Sequence, residues 1–419
     1  MGDGQPTALR TAAGGGLPMA FATPVPAAPD METAGLVRAQ AASSLGILHI
    51  FRAPLGGLFR HVVDLARGQA ARGHRVGLIV DSLTGGARAD AALAALAPEL
   101  ALGVQRVAIS REISPSDIQA VRMASRWIKN AAPDVIHGHG GKGAALARLA
   151  PSAPHAIRVY TPHGGTLVYR PGTLGGGFYR TLEWFLKWRT DLFLFESSYI
   201  AGLFRADVGH PPGIVRVVHN GVGEAEFSAI VPRPDATDIV CLGELRAVKG
   251  FDVLIEALST LKAAGRRVTA TIAGEGPDQA ELKALAEEFG VADQVRFVGY
   301  RPAREAFALG RMMVIPSRAE SLPYVILEAA AGGVPIVSTR VGGIPEIFGP
   351  ESDHLIAPDD VGALAGAIAR ALDEPAELRR IAQSVKGRVQ AEFSLSAMVD
   401  GGLAAYREAI ALRKLAQFA

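Results

Sequence analysis

The segment Pro316-Ser-Arg-Ala-Glu320-Ser321-Leu322-Pro323-Tyr324-Val325-Ile-Leu-Glu328 holds two carboxylates, one on each side of what reads as the opening of a helix after a strand and loop. Free N–H groups and the macrodipole make a helix start a site for anions. Pro323 suits the first turn, where a missing N–H costs nothing. Glu320 lies in the loop before that turn, and Glu328 is about five residues along it, or about 7 to 8 Å up the axis. This order matches a bound nucleotide-sugar, with the sugar beside Glu320, the diphosphate at the helix start and the ribose beside Glu328. Ser321, Leu322, Tyr324 and Val325 share the stretch and are candidate donor contacts. An isolated Glu-x7-Glu is by default an exposed pair. The strand-loop-helix context is what makes it a site.

Two carboxylates beside a diphosphate require positive charge nearby. Gly243-Glu244-Leu-Arg246-Ala-Val-Lys249-Gly250 supplies it, Arg246 as a fork for phosphate oxygens and Lys249 as a mobile point charge. In Ala53-Pro-Leu-Gly56-Gly57-Leu-Phe-Arg60-His61, Gly56 and Gly57 would let backbone amides approach a phosphate. In Thr161-Pro-His163-Gly-Gly165 the glycines would leave His163 open to a cleft, although a lone histidine is usually a satisfied structural residue. His219-Asn220-Gly221-Val222 reads as a turn with a packing role. Gly274-Glu-Gly-Pro277 and Val341-Gly-Gly-Ile-Pro-Glu346 join strand ends to helices, where ligands collect in open α/β sheets. The former lacks the third glycine of Gly-x-Gly-x-x-Gly, which argues against a dehydrogenase. With no Asp-x-Asp pair to hold a diphosphate through a divalent ion, no metal and no cofactor is expected. His137-Gly-His139 gives one ligand pair with no identifiable third partner.

The elements that must position these residues alternate short β-branched runs with helical periodicity, the pattern of parallel sheets covered by helices. Strands are expected over Gly46–Phe51, His74–Val80, Asp134–His137, Ala156–Tyr160 and Asp191–Phe195, then over Asp238–Leu242, Val268–Ala273, Val295–Val298, Met312–Ile315 and Pro335–Ser338. A chain of 419 residues suits two such domains. We place a disordered tail at residues 1–44, a first Rossmann-like domain at 45–226, a linker at 227–236 around its two prolines, a second domain at 237–395 and a closing helix at 396–419.

Composition narrows the class. Apolar residues make up 49% and charged residues 20%, as in a globular protein with a large core. The single cysteine, Cys241, sits in a strand-like apolar run, which excludes internal disulfides and fits a reducing cytosol. No stretch reaches the about 18 apolar residues of a membrane span, and Pro18, Pro24, Pro26 and Pro29 break any secretory signal. Charge is uneven: residues 46–225 hold 20 Lys/Arg against 12 Asp/Glu, whereas residues 226–419 hold 21 against 26. A basic first half suits an anionic acceptor or membrane surface, and no basic run interleaved with aromatics suggests nucleic acid. In Phe178-Tyr-Arg180-Thr-Leu-Glu-Trp184-Phe-Leu-Lys187-Trp188-Arg189, both tryptophans share a helix face. Two readings stay open: the tryptophans pack in the core, or they enter a membrane interface with Arg180, Lys187 and Arg189 reaching for headgroups.

Taken together, Gly-Gly-x-x-x-His at 56, Thr-Pro-His-Gly-Gly at 161, His-Asn-Gly-Val at 219, Gly-Glu-Leu-Arg-x-x-Lys-Gly at 243, Gly-Glu-Gly-Pro at 274, Glu-x7-Glu at 320 and Val-Gly-Gly-Ile-Pro-Glu at 341 resemble glycosyltransferase family 4 from about residue 46 onward. The resemblance implies the GT-B fold, two Rossmann-like α/β domains facing across a cleft, with the closing helix packing back on the first. It also implies a UDP- or GDP-linked sugar donor held by the second domain and a glycan or lipid-linked acceptor held by the first. Transfer would retain anomeric configuration without a metal, by same-face attack rather than a covalent Glu320 intermediate. Glu320 would touch donor-sugar hydroxyls, Glu328 the ribose, and Arg246 and Lys249 the diphosphate, with Gly57 approaching it across the cleft and His163 near the sugar. The chain departs from the pattern twice, with Glu244 where many members have Arg and Pro323 where many have Gly. A sugar-nucleotide epimerase without an acceptor, or a non-catalytic subunit of a polysaccharide assembly complex, are the rival readings.

Overall fold

The computed structural model describes residues 43–164 and 174–418. The expected tail, but for Ser43 and Ser44, and Gly165 of the histidine loop lie outside the described residues.

The first sheet and its helices run in order β1 (Gly46–Phe51), α1 (Gly56–Ala71), β2 (Arg75–Asp81), α2 (Gly86–Leu96), β3 (Gly103–Val107), α3 (Ser116–Ala131), β4 (Val135–His139), α4 (Gly140–Leu149), β5 (Ile157–Thr161), α5 (Leu174–Leu186), β6 (Leu192–Phe195), α6 (Ser198–Asp207) and β7 (Ile214–Val217). All seven strands are parallel in the order β3-β2-β1-β4-β5-β6-β7. Strand β1 is buried along its whole length, as a strand between two helical layers must be, and His49 is its one polar residue. The sequence pattern misses β3 and β7. Both are edge strands, half-exposed, and Gly-Val-Gln-Arg-Val and Ile-Val-Arg-Val carry cations in place of an unbroken apolar run.

The second domain follows as β8 (Thr237–Leu242), α7 (Phe251–Ala263), β9 (Ala270–Ala273), α8 (Gln279–Glu288), β10 (Val295–Phe297), α9 (Ala303–Phe307), β11 (Gly310–Ile315), α10 (Tyr324–Ala331), β12 (Ile336–Ser338), α11 (Ile344–Phe348), α12 (Val361–Asp373), α13 (Pro375–Glu392) and α14 (Leu395–Phe418). Its five strands are parallel in the order β10-β9-β8-β11-β12. The segment before β8 is bonded to this domain, Ile230 N–H to Gly332 O and Arg233 N–H to Ala308 O. Pro323 precedes helix α10 as its cap rather than filling the first turn, and its carbonyl accepts from Ile326 N–H.

The chain crosses between domains twice, and the crossings touch. Val222 N–H bonds Phe393 O, and Leu395 N–H bonds Val222 O. A Cβ on Gly221 would lie 2.4 Å from Ser394 O, so only glycine lets the two strands meet there. After the second crossing, α14 returns to the first domain. Met398, Val399, Leu403, Tyr406 and Ile410 join its core with Ile47, Val62, Leu65 and Val76.

Trp184 and Trp188 are 46% and 65% exposed, beside Phe185 at 61%, which overturns the core reading for both tryptophans. Lys187 does not reach outward either: it is buried, and its Nζ donates to Val208 O at 3.1 Å. Among the described residues no helix is long and apolar enough to cross a membrane.

Because α14 completes a core formed more than three hundred residues earlier, Leu403→Ala is expected to cost about 2–5 kcal/mol in urea unfolding. Lys414→Ala, on the exposed face of the same helix, should stay within about 0.5 kcal/mol. Equal small losses would mean that the helix is not part of that core.

Candidate active site

Strand order reverses between β1 and β4 in the first sheet and between β8 and β11 in the second. Loops leaving carboxyl ends at such points diverge and open a crevice. The first crevice is edged by Gly56 and Gly57 after β1 and by Gly140 after β4. The second is edged by Gly243 to Lys249 after β8 and by Pro316 to Glu320 after β11. The two edges meet: a Cβ on Gly57 would lie 3.4 Å from the Tyr324 ring, in ordinary contact, so α1 lies against the start of α10.

On the second domain, Glu320 Oε1 accepts from Lys249 Nζ at 2.6 Å and from Ser317 Oγ at 2.7 Å. The glycine loops hold Glu320 there. Gly342, with φ +59, places its missing Cβ 1.9 Å from Glu320 O, and Gly343 N–H donates to Ser321 O at 2.7 Å. Gly274 would put a Cβ 1.8 Å from Gly243 O, so the two glycine loops also lie in contact. Arg246 is not drawn into this cluster. It pairs with Glu244 at 2.6 Å, both about half-exposed, so the residue that departs from the family pattern holds the expected phosphate arginine. Leu322 and Tyr324 are buried side chains and Val325 is half-buried, which leaves the backbone of this stretch as its main polar surface.

Glu328 is 8% exposed and meets a partner from the other domain. Arg60 of α1 donates to Glu328 and to Glu226, and to Asp64 at 3.0 Å, so one guanidinium serves three carboxylates. Burial, opposed by Arg60 and helped by the negative charge of Glu226 and Asp64, pushes the Glu328 carboxyl up to about 7. Two further links tie the domains. Asn220 Nδ2 donates to Leu322 O at 2.8 Å while its Oδ1 meets His61 Nδ1 at 2.9 Å. Glu346 accepts from Ser198 N–H and Tyr199 N–H at 2.9 Å, at the start of α6, and from His219 Nε2 at 3.0 Å. The turn at His219 and Asn220 thus joins the domains, bonded to Leu322 and Glu346 of the second.

His163 stands at the end of β5 with φ +53, a left-handed strain few non-glycine residues adopt. It is half-buried, and its ring lies edge-on to His61 at 4.7 Å. Behind it is a cluster that the motifs show only in part. His49 on β1 and His137 and His139 on β4 face the same side of neighbouring strands, and His49 pairs with His137 in register. The third partner missing from His137-Gly-His139 is therefore His49, two strand positions before the end of β1. His49, His137 and His139 form a triad of metal-ligand spacing, and His61, His139 and His163 form another. Both ring nitrogens of His49, His137 and His139 are already engaged in hydrogen bonds of 2.7 to 3.0 Å. Glu196, at the end of β6, was also unforeseen. Among the described residues neither carboxylate oxygen finds a partner in hydrogen-bonding geometry. Burial pushes its carboxyl up to about 7 against the nearby amides of His163 and Gly164.

Glu196 and Glu328 generate a pH dependence. A carboxyl whose pKa is higher folded than unfolded holds its proton more tightly in the native state, so its penalty appears as pH rises from about 4.5 towards 7. Glu196→Gln should raise the melting temperature more at pH 8 than at pH 5. A difference from wild type that does not change with pH would contradict the buried, proton-bearing carboxyl.

Similarity to known proteins agrees with this geometry. Residues 55–226 match the model of Glycosyltransferase Family 4, and residues 224–388 match that of Glycosyl transferases group 1. The glycogen synthase of Mycobacterium tuberculosis is 30% identical over 370 residues, covering 81% of this chain and 88% of the relative. Among solved structures, sucrose-phosphate synthase from Thermosynechococcus elongatus superposes with TM-score 0.71 at 20% identity, covering 89% of this chain and all of that one. Anabaena HepE in complex with UDP gives TM-score 0.68 at 19% identity, covering 85% and 98%. Two parallel Rossmann-like domains, a returning helix and a facing pair of glycine-edged crevices are the GT-B fold, and the chain belongs to glycosyltransferase family 4 as a glycosyltransferase.

Proposed function

We propose that the protein moves a sugar from a UDP- or GDP-linked donor to a glycan or lipid-linked acceptor, retaining anomeric configuration and using no metal. The product would belong to cell-surface or extracellular polysaccharide. The observation that carries this reading is the cluster of Lys249, Glu320 and Ser317, with Glu328 one helix start away and Gly57 lying opposite. The named relatives support it, one a glycogen synthase and one solved with UDP.

In this reading the diphosphate lies against Lys249, Arg246 and the start of α10, with the amides of Gly56 and Gly57 opposite and Gly243 and Gly274 beneath. Glu320 and His163 meet sugar hydroxyls, and Glu328 exchanges Arg60 for the ribose. The acceptor hydroxyl attacks C1 from the face the phosphate leaves. As the C1–O bond to phosphate breaks, the hydroxyl proton passes to the departing phosphate oxygen. Lys249 and the helix start would supply positive charge to the group that develops there, joined by Arg246 once it leaves Glu244, which is why a metal is not needed.

On the acceptor side, a cavity of about 540 Å³ beside His139 and Gly140 is lined by Leu58, Leu146, Leu149 and Leu182, with the cations Arg52, Arg111 and Lys142 and the carboxylates Asp117 and Glu183. An apolar wall with more cations than carboxylates suits an amphiphilic, anionic acceptor. The exposed Trp184, Phe185 and Trp188 suit peripheral contact with the inner face of the cytoplasmic membrane.

Glu328→Gln should weaken nucleotide binding by about 1.5–3 kcal/mol, the worth of charge-assisted hydrogen bonds, whereas Glu320→Gln should slow turnover with nucleotide affinity kept. Calorimetry and initial rates check both, with EDTA present in a parallel assay. Normal binding and turnover in both variants, or activity abolished by EDTA and restored by Mg²⁺, would contradict the assignment.

Flotation with anionic liposomes should carry the protein at low salt and less of it at high salt, where headgroup attraction is screened. Trp188→Ala should reduce flotation without unfolding the domain, since the ring is exposed. Absence of flotation at low salt would remove the membrane contact.

A further inference from the structure

From the cleft, imidazoles run in line into the first domain. His163 Nε2 lies 3.0 Å from His139 Nδ1, His139 Nε2 lies 2.9 Å from His49 Nδ1, and His49 Nε2 lies 2.8 Å from Gln69 Oε1. Gln69 and His49 are wholly buried and His139 is 1% exposed, so water does not interrupt the chain. Burial, with further lowering by neighbouring imidazoles at His139 and His163, keeps the rings neutral: His49 is lowered to about 4, and His139 and His163 well below the usual range.

A neutral imidazole has one N–H and one lone pair, so three bonds in series must all run in the same sense. Gln69 sets that sense. Its carbonyl oxygen faces His49, while its Nε2 donates to Tyr406 Oη at 3.5 Å and the Tyr406 hydroxyl meets His137 Nδ1 at 2.7 Å. An amide oxygen only accepts. His49 therefore carries its proton on Nε2, its Nδ1 accepts from His139 Nε2–H, and His139 Nδ1 accepts from His163 Nε2–H. His163 keeps a bare Nδ1 with no hydrogen-bond partner among the described residues.

The neighbouring His61 cannot reverse this. A backbone carbonyl fixes the Asn220 amide, since Asn220 Nδ2 must donate to Leu322 O. Asn220 Oδ1 then takes the His61 Nδ1 proton, leaving His61 Nε2 as a second lone pair rather than a donor. The left-handed backbone at His163 and the His61 ring against it resist a flip of the imidazole.

We propose that Gln69, His49 and His139 are positioning residues that lock His163 as the Nε2–H tautomer, so that it offers substrate a hydrogen-bond acceptor and not a donor. The consequence for substrate rests on the placement of His163 against the donor sugar: the sugar must present a hydroxyl there, and a deoxy, O-methyl or carboxylate group in its place is disfavoured.

The test is long-range ¹H–¹⁵N correlation on histidine-labelled full-length protein, with His163 assigned by loss of its signals in His163→Asn. Wild type should show His163, His139 and His49 each protonated on Nε2 with Nδ1 bare. Gln69→Leu, three rings away, should leave His163 a mixture of tautomers and lower kcat about tenfold, the worth of one neutral hydrogen bond, with nucleotide KM unchanged. Gln69→Glu, which keeps an acceptor oxygen towards His49, should restore the tautomer. A wild-type His163 protonated on Nδ1, or a Gln69→Leu protein with the His163 tautomer intact, overturns the proposal. The spectra need no substrate, so a wild-type tautomer as stated together with no transfer from any nucleotide-sugar would count against the transferase reading and leave the chain standing.

Discussion

The contact on which the arrangement turns is the one between Arg60 and Glu328. Glu328 sits on α10 where burial alone would strip its charge, and its cationic partner belongs to the other domain. Glu328 is the buried member of the pair, so removing Arg60 would leave its carboxyl without its cationic partner. Juxtaposition of the domains and the state of the candidate ribose carboxylate are therefore one equilibrium. Glu226, on the first crossing between domains, shares the same guanidinium. A ligand hydroxyl that replaced Arg60 at Glu328 would free Arg60 for Asp64 and Glu226, and would so have a direct route to the relative setting of the two halves.

That contact exists because parallel sheets deliver their loops to one edge, and because the crossings at Gly221 and Ser394 bring the two edges together. Close approach fixes residue type at each step. Gly342 yields to the Glu320 carbonyl and Gly274 to that of Gly243. The polar links follow the same logic. Asn220 and Glu346 each satisfy backbone groups on the opposite side of the junction, so neither domain meets the other as bare apolar surface.

Much of this was legible in the sequence. The inner strands of both sheets are apolar runs with turn residues at their ends, and Glu320, Lys249 and the glycine pairs fall in loops whose spacing shows them. What was hidden depends on partners far apart in the chain. Arg60 lies within a quoted motif, but nothing local says that its partner is 268 residues on. His49 reads as one polar residue in a buried strand. Only the register with His137 shows it to be part of a cluster, although alternation along β1 and β4 would have put both on one face. Glu196 follows β6 with no spacing signal at all. The edge strands β3 and β7 escaped because half-exposed strands tolerate arginine, and the exposed tryptophans of α5 were undecidable because helical spacing marks a face without saying what covers it.

A crystal structure with a nucleoside diphosphate bound should show the ribose hydroxyls within hydrogen-bonding distance of Glu328 with Arg60 displaced, and the diphosphate against Lys249 and the start of α10, facing Gly56 and Gly57. A nucleotide seated elsewhere, or seated in the cleft with the Arg60 contact to Glu328 intact and Lys249 still on Glu320 alone, would contradict that placement.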